Sequence, residues 1–178
     1  MKIIKVLLVS AIFLTACGND NFYETDRYFL TDKESYELGD NFELTVVIAP
    51  TEGEKEIRFY DNFQNLVISF AIMNDKKGIH NGSWTKQSSD FLEPTKPTQF
   101  TITNSDPFKK SFVGKFSETD TEIIIEIPEL NFKDGLPKSD FDENTLVRIH
   151  GHCLPIDPEF GASLEEFVEV KDIRIEVE

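Results

Sequence analysis

The sequence predicts an all-β protein, an antiparallel β-sandwich of about seven to nine strands. Three observations carry this. Apolar and polar residues alternate over short windows, most plainly where Phe42, Leu44, Val46 and Ile48 are interleaved with Glu43 and Thr45. Turn residues bound those windows at short intervals. No long window carries an apolar stripe at helical spacing.

The elements follow in chain order. Leu38-Gly39-Asp40-Asn41 turns into the Phe42–Ile48 strand, which Pro50 and Gly53 end. Ile57 and Phe59 open another. Asp61-Asn62 then turns the chain into Leu66 to Met73, a run apolar on both parities that reads as a strand covered on both faces. Residues 74–98, with Asn74-Asp75, Gly78, Asn81-Gly82, Pro94 and Pro97, read as a long loop region holding a brief strand around Trp84. Strands resume at Gln99 to Thr103 and at Phe108 to Phe116. In the latter, Phe108, Phe112 and Phe116 stand four apart, which suits a helix equally, and Gly114 favours a strand. Glu122 to Ile127 is a further strand. Pro128 to Asn144 reads as an irregular acidic stretch, and Leu146 to His150 as a strand after it. Ser163-Leu164-Glu165-Glu166 fits one capped helical turn. In the last strand Val168 and Val170 are even while Ile173, Ile175 and Val177 are odd, so a β-bulge or break is expected near Lys171-Asp172.

The N-terminus has its own layout. Lys2 and Lys5 precede an apolar run from Val6 to Leu14 in which only Ser10 is polar. That run is too short for a membrane span, which needs about 20 residues, and matches an export signal expected to be helical. Leu14-Thr15-Ala16-Cys17 resembles the bacterial lipobox. The resemblance implies cleavage before Cys17 and attachment of diacylglycerol to its thiol, with acylation of the new amine. Three acyl chains anchor stably, since each buried CH₂ contributes about 0.8 kcal/mol. Gly18 in place of Asp implies, by the lipoprotein sorting rule, the outer membrane. The expected organisation is a signal peptide at 1–16, lipidated Cys17 and a tether at 17–25, and one β domain at 26–178.

Charge narrows the partners. The chain has 18 Lys+Arg against 33 Asp+Glu; without Lys2 and Lys5 the balance is 16 against 33, a net of −17. Such a surface repels phosphate backbones, so no nucleic-acid partner is expected. With Cys17 lipidated, Cys153 has no partner in the chain and is expected to be a buried thiol.

Thr31-Asp32-Lys33-Glu34-Ser35-Tyr36-Glu37-Leu38-Gly39-Asp40-Asn41-Phe42-Glu43-Leu44-Thr45 resembles the opening of immunoglobulin-like domains in bacterial surface proteins and macroglobulins. The resemblance implies an immunoglobulin-like sandwich, with Tyr36 packed over its end, Gly39 in a tight turn, and Phe42 and Leu44 in the core. It implies little about function, because such sandwiches host many. The macroglobulin thioester motif and the paired Cys of antibody domains are absent.

Candidate chemistry is sparse. His150 and His152 would project from one strand face if Gly151 keeps strand geometry, and two imidazoles can share a transition metal. Asp140, Asp142, Glu143 and Asn144 begin like a calcium loop, yet Thr145 stands where Gly is needed and Gly151 where Glu is needed, so the EF-hand fails. A looser Ca²⁺ site remains open; otherwise no cofactor is expected. Trp84 and Tyr60 are candidate ligand-binding aromatics for a protein or glycan. No G-x-S-x-G occurs, and His80 and Ser83 lie in a turn-like stretch. The expectation is a non-catalytic binding or envelope-assembly lipoprotein, facing the periplasm or the surface. The alternatives are a calcium- or glycan-binding surface domain and a small envelope hydrolase.

Overall fold

A computed structural model describes residues 25–60, 66–74, 78–84, 97–153 and 166–177. The described chain is β-rich and holds no α-helix. Its strands are β1 (Thr25–Thr31), β2 (Ser35–Glu37), β3 (Asn41–Pro50), β4 (Glu54–Tyr60), β5 (Leu66–Asn74), β6 (Gly78–Trp84), β7 (Pro97–Thr103), β8 (Phe108–Glu118), β9 (Glu122–Ile127), β10 (Phe132–Pro137), β11 (Leu146–Cys153) and β12 (Glu166–Glu176). The signal segment, Cys17 and Ser163 lie outside the described residues.

Nine strands follow the order β10-β9-β8-β3-β1-β12-β11-β5-β6, and β2 joins them through β12. β4 and β7 form a separate two-stranded ribbon. The large sheet is mixed, because β1 and β2 both run parallel to β12. Antiparallel pairing throughout was the expectation. β12 departs from it because the first segment of the chain lies along its open edge, with β1 shared between β3 and β12.

The sheet is curled. Phe70 on β5 meets Phe42 on β3 at 6.1 Å and Phe132 on β10 at 5.8 Å between ring centroids. Those strands stand far from β5 in the strand order, so the two halves of the sheet face each other across the core. The terminal strands also meet: Gly82 of β6 lies against Asp134 and Leu136 of β10.

Local sequence explains most elements. In β8, Phe108, Phe112 and Phe116 are all buried while Lys109, Ser111 and Val113 face out, so period two wins over the helical reading. β5 is buried at Leu66, Ile68, Phe70 and Ile72 and equally at Val67, Ser69 and Ala71, the two-sided burial its composition predicts. The bulge in β12 falls where the parity shift places it. Ile149 pairs with Lys171 and Gly151 with Val168, so Glu169 and Val170 together oppose His150. Val168, just before the bulge, is 3% exposed, and Val170, within it, is 45% exposed.

β6 extends the brief strand expected around Trp84 back to Gly78, and β10 arises where an irregular stretch was expected. β6 pairs with β5 across an irregularity between Ser69 and Ala71, which absorbs Gly82 and Ser83. Glycine at an edge-strand bulge carries the same signal as glycine in a turn. β10 pairs with β9 alone, burying Phe132 and Leu136, and its closing Pro137 is tolerated on an edge strand. The flanking segments are short 3₁₀ turns at Pro128–Leu130 and Lys138–Asp140.

Candidate functional site

All strands bring their loops to one of two ends. β1, β12, β5 and β8 run from the end holding Thr25; β3, β11, β6 and β9 return to it. The opposite end therefore gathers the β2–β3 turn, the β8–β9 turn, the β10–β11 loop and the close of β12.

The β2–β3 turn is locked by its own side chains. Gly39 takes φ of 100°, a left-handed value that favours glycine. Tyr36 is buried, with its ring 5.2 Å from that of Phe116 and 6.2 Å from that of Phe42. Its hydroxyl donates to Asp32 Oδ1 at 2.7 Å, and the Glu43 N–H donates to the same oxygen at 2.8 Å. Burial works to raise the Asp32 carboxyl, but these donors outweigh it and hold the group below its ordinary value. Burial, with the Asp32 carboxylate second, pushes Tyr36 up to about 12. Lys33 Nζ lies 2.8 Å from Asp40 Oδ2.

The β10–β11 loop is locked as well. Asp142 Oδ1 accepts from the Asn144 N–H and from the Thr145 hydroxyl, each at 3.0 Å. The Asp142 N–H donates to Thr145 Oγ1 at 2.8 Å, and Asn74 Nδ2 to the same oxygen at 3.0 Å. Thr145 is buried. The Asp-x-Asn spacing thus serves an Asx turn whose carboxylate is turned onto the loop's own donors.

A cleft at this end has Phe141, Ile175 and Val177 as its apolar lining beside Asp142, Glu143 and Glu176. A separate depression lined by Glu37, Leu38 and Glu118 shares Glu176 with it. The cations there are engaged: Lys138 pairs with Glu118, and Arg174 donates to the Glu143 carbonyl. Another depression, lined by Arg27, Tyr28, Glu169 and Val170 among others, lies at the Thr25 end.

The sequence candidates are distributed, not gathered. Asp142 and Glu143 line the cleft, with Asp140 just before them. His150 and His152 lie farther along β11, the first about 13 Å of strand beyond Leu146. Gly151 does keep strand geometry, so the two imidazoles share a face, and its hydrogen side packs on Phe29: a Cβ there would lie 2.4 Å from the ring. Arg148 on the same face forms a two-pronged ion pair with Asp172 directly opposite, both contacts at 2.7 Å. Burial first, and the Arg148 charge second, pull His150 below its ordinary value. Among the described residues no three His, Cys, Asp or Glu side chains are grouped to hold a metal. Tyr60 ends β4 half-buried, opposite Pro97. Trp84 ends β6 opposite Ser69, and its side chain lies outside the described set, as does that of Cys153. The cleft residues Lys138, Phe141, Arg174 and Glu176 carry no local motif; strand pairing across distant segments assembles them.

The chain matches no protein-family model and no curated protein sequence. Among solved structures it is similar to Spo0M, a sporulation control protein from Bacillus subtilis, with a TM-score of 0.44 and 11% identity over 87% of this chain and 50% of that one. It is also similar to the alkylpurine DNA glycosylase AlkC of Pseudomonas fluorescens bound to DNA containing an abasic site analog, with a TM-score of 0.39 and 11% identity over 86% of this chain and 31% of that one. The chain spans half or less of the length of each.

Proposed function

We propose that this protein is a lipid-anchored, non-catalytic binding or envelope-assembly module of a didermous bacterium, carried on the outer membrane through Cys17. The observation that carries this reading is the Leu14-Thr15-Ala16-Cys17 sequence behind a short lysine-led apolar run. Cys17 lies eight residues before the start of β1, a reach of about 28 Å at most. The tether would therefore hold the Thr25 end near the membrane and leave the cleft facing away. The finer fold assignment belongs to the same proposal: an immunoglobulin-like sandwich, supported by the two facing halves of the sheet and by Tyr36, Phe42 and Leu44 in the core.

Growth of a producing didermous host with an alkyne fatty acid tests the anchor. The full-length protein should take the label and sediment with outer membranes, while Cys17→Ser should lose both. An unlabelled wild-type chain, or a labelled Cys17→Ser chain, would overturn the reading. Protease shaving of intact cells beside a periplasmic control then decides which side of the membrane the domain faces.

A further inference from the structure

We infer that the cleft takes a cationic, extended peptide segment, added as a strand to the open edge of β12 at Arg174–Glu176. This deepens the binding-module reading and rests on it. The first ground is backbone pairing. The β11–β12 ladder ends at Val147 and Ile173, where the chain before β11 folds into the Asp142–Thr145 turn. β12 runs on to Glu176 with β2 along its other edge only. Past Ile173, the edge facing the cleft has no strand beside it among the described residues. A strand edge is a template for an extended chain, whose main-chain hydrogen bonds supply affinity while alternate side chains supply specificity.

The second ground is alternation. Ile175 is buried and Val177 half-buried, and Phe141 stands across from them; Arg174 and Glu176 face out. A strand laid here would place every other side chain on an apolar floor and the rest at the rim. The third ground is charge, which selects the occupant. Asp142, Glu143 and Glu176 border the cleft against Lys138 and Arg174, and Lys138 is already paired with Glu118, so the rim keeps an excess of carboxylates. Complementarity calls for Lys or Arg at the outward positions and aliphatic or aromatic residues between them.

The test uses the full chain in detergent micelles and a fluorescein-labelled synthetic peptide, KVKFKVK. Its counterparts are EVEFEVE and KVKFKVK carrying N-methyl groups at alternate amides. Fluorescence anisotropy should show saturable binding of KVKFKVK, none of EVEFEVE, and at least about a tenfold loss on N-methylation, which removes main-chain donors. Glu143→Lys with Glu176→Lys should weaken binding about tenfold. Glu52→Lys with Glu54→Lys, both exposed at the other end, should leave it unchanged. Melting curves of each variant confirm folding. Equal weakening by the two pairs of substitutions would mean diffuse attraction and overturn the inference, as would indifference to N-methylation or failure of KVKFKVK to bind. Sedimentation showing a dimer lost in the cleft variant would assign the edge to a second copy and overturn it too. Each of these failures leaves the fatty-acid labelling of Cys17 untouched, so the two readings fail separately.

Discussion

The two ends of the molecule are held by different physics. At the cleft end, an aromatic stack of Tyr36, Phe42 and Phe116 sits under side chains that cap the loops: Asp32 takes two donors, and Asp142 and Thr145 close the β10–β11 turn. At the Thr25 end, the β4–β7 ribbon joins the large sheet through apolar rings. Phe59 stacks on Phe108 at 4.8 Å, and Phe100 meets the same ring edge-on at 5.1 Å. Directional hydrogen bonds fix loop conformation, whereas ring pairs set the stacked or edge-on geometry of the strands they join. The cleft is therefore a preorganised surface, and the ribbon an appended one.

The largest effects should come from the rings. Phe42→Ala is expected to cost about 4 kcal/mol and lower protection from amide exchange throughout, because Phe42 touches both halves of the core. Phe108→Ala should cost about 3 kcal/mol, with faster exchange concentrated in β4 and β7. Equal loss of protection at both ends in both variants would erase the contrast. Next comes Gly151→Ala, which forces a methyl into the Phe29 ring between the two ends and should cost about 2 kcal/mol in denaturant melts.

A smaller effect separates capping from packing. Tyr36→Phe keeps the stack and removes the hydroxyl, so a loss of about 1 kcal/mol is expected. Asp32 is held low in the fold, so its stabilisation is full above its unfolded value and fades as pH falls through the folded one. With one donor gone, the folded value moves back toward the unfolded one, so the acid limb of stability in Tyr36→Phe should be shallower and should end at higher pH. The smallest effect belongs to neither end. His150 is also held low, but as a base: the unfolded chain binds its proton first, so stability should decline as pH drops below about 6.5. His150→Gln should flatten that decline, and melts at pH 5 and pH 8 would show it.

The strands with strong alternation and the bulge in β12 were legible because burial on one face imposes a period of two, and any slip leaves a visible change of parity. The Asp32–Thr45 segment likewise announced its turn and its buried Tyr36. β10 was illegible and β6 showed only as a brief strand around Trp84, since edge strands tolerate Gly and Pro and so look like loops. The acidic loop was visible as a run of carboxylates, yet its composition reads alike for an ion site and a self-capped turn; the position of Thr145 beneath Asp142 separates the two.

By itself the sequence determined the β class, the main core positions and the acidic charge, because these depend on local patterning and on counts. It also carries the Leu14–Cys17 address on which the anchoring proposal rests. Only the tertiary structure decided that β1 and β2 run parallel to β12, that the sheet curls until β6 meets β10, and that Phe141, Arg174 and Glu176 share one cleft. Those outcomes depend on which distant edges pair, and pairing is set by the collective fit of the whole core rather than by any local run of residues.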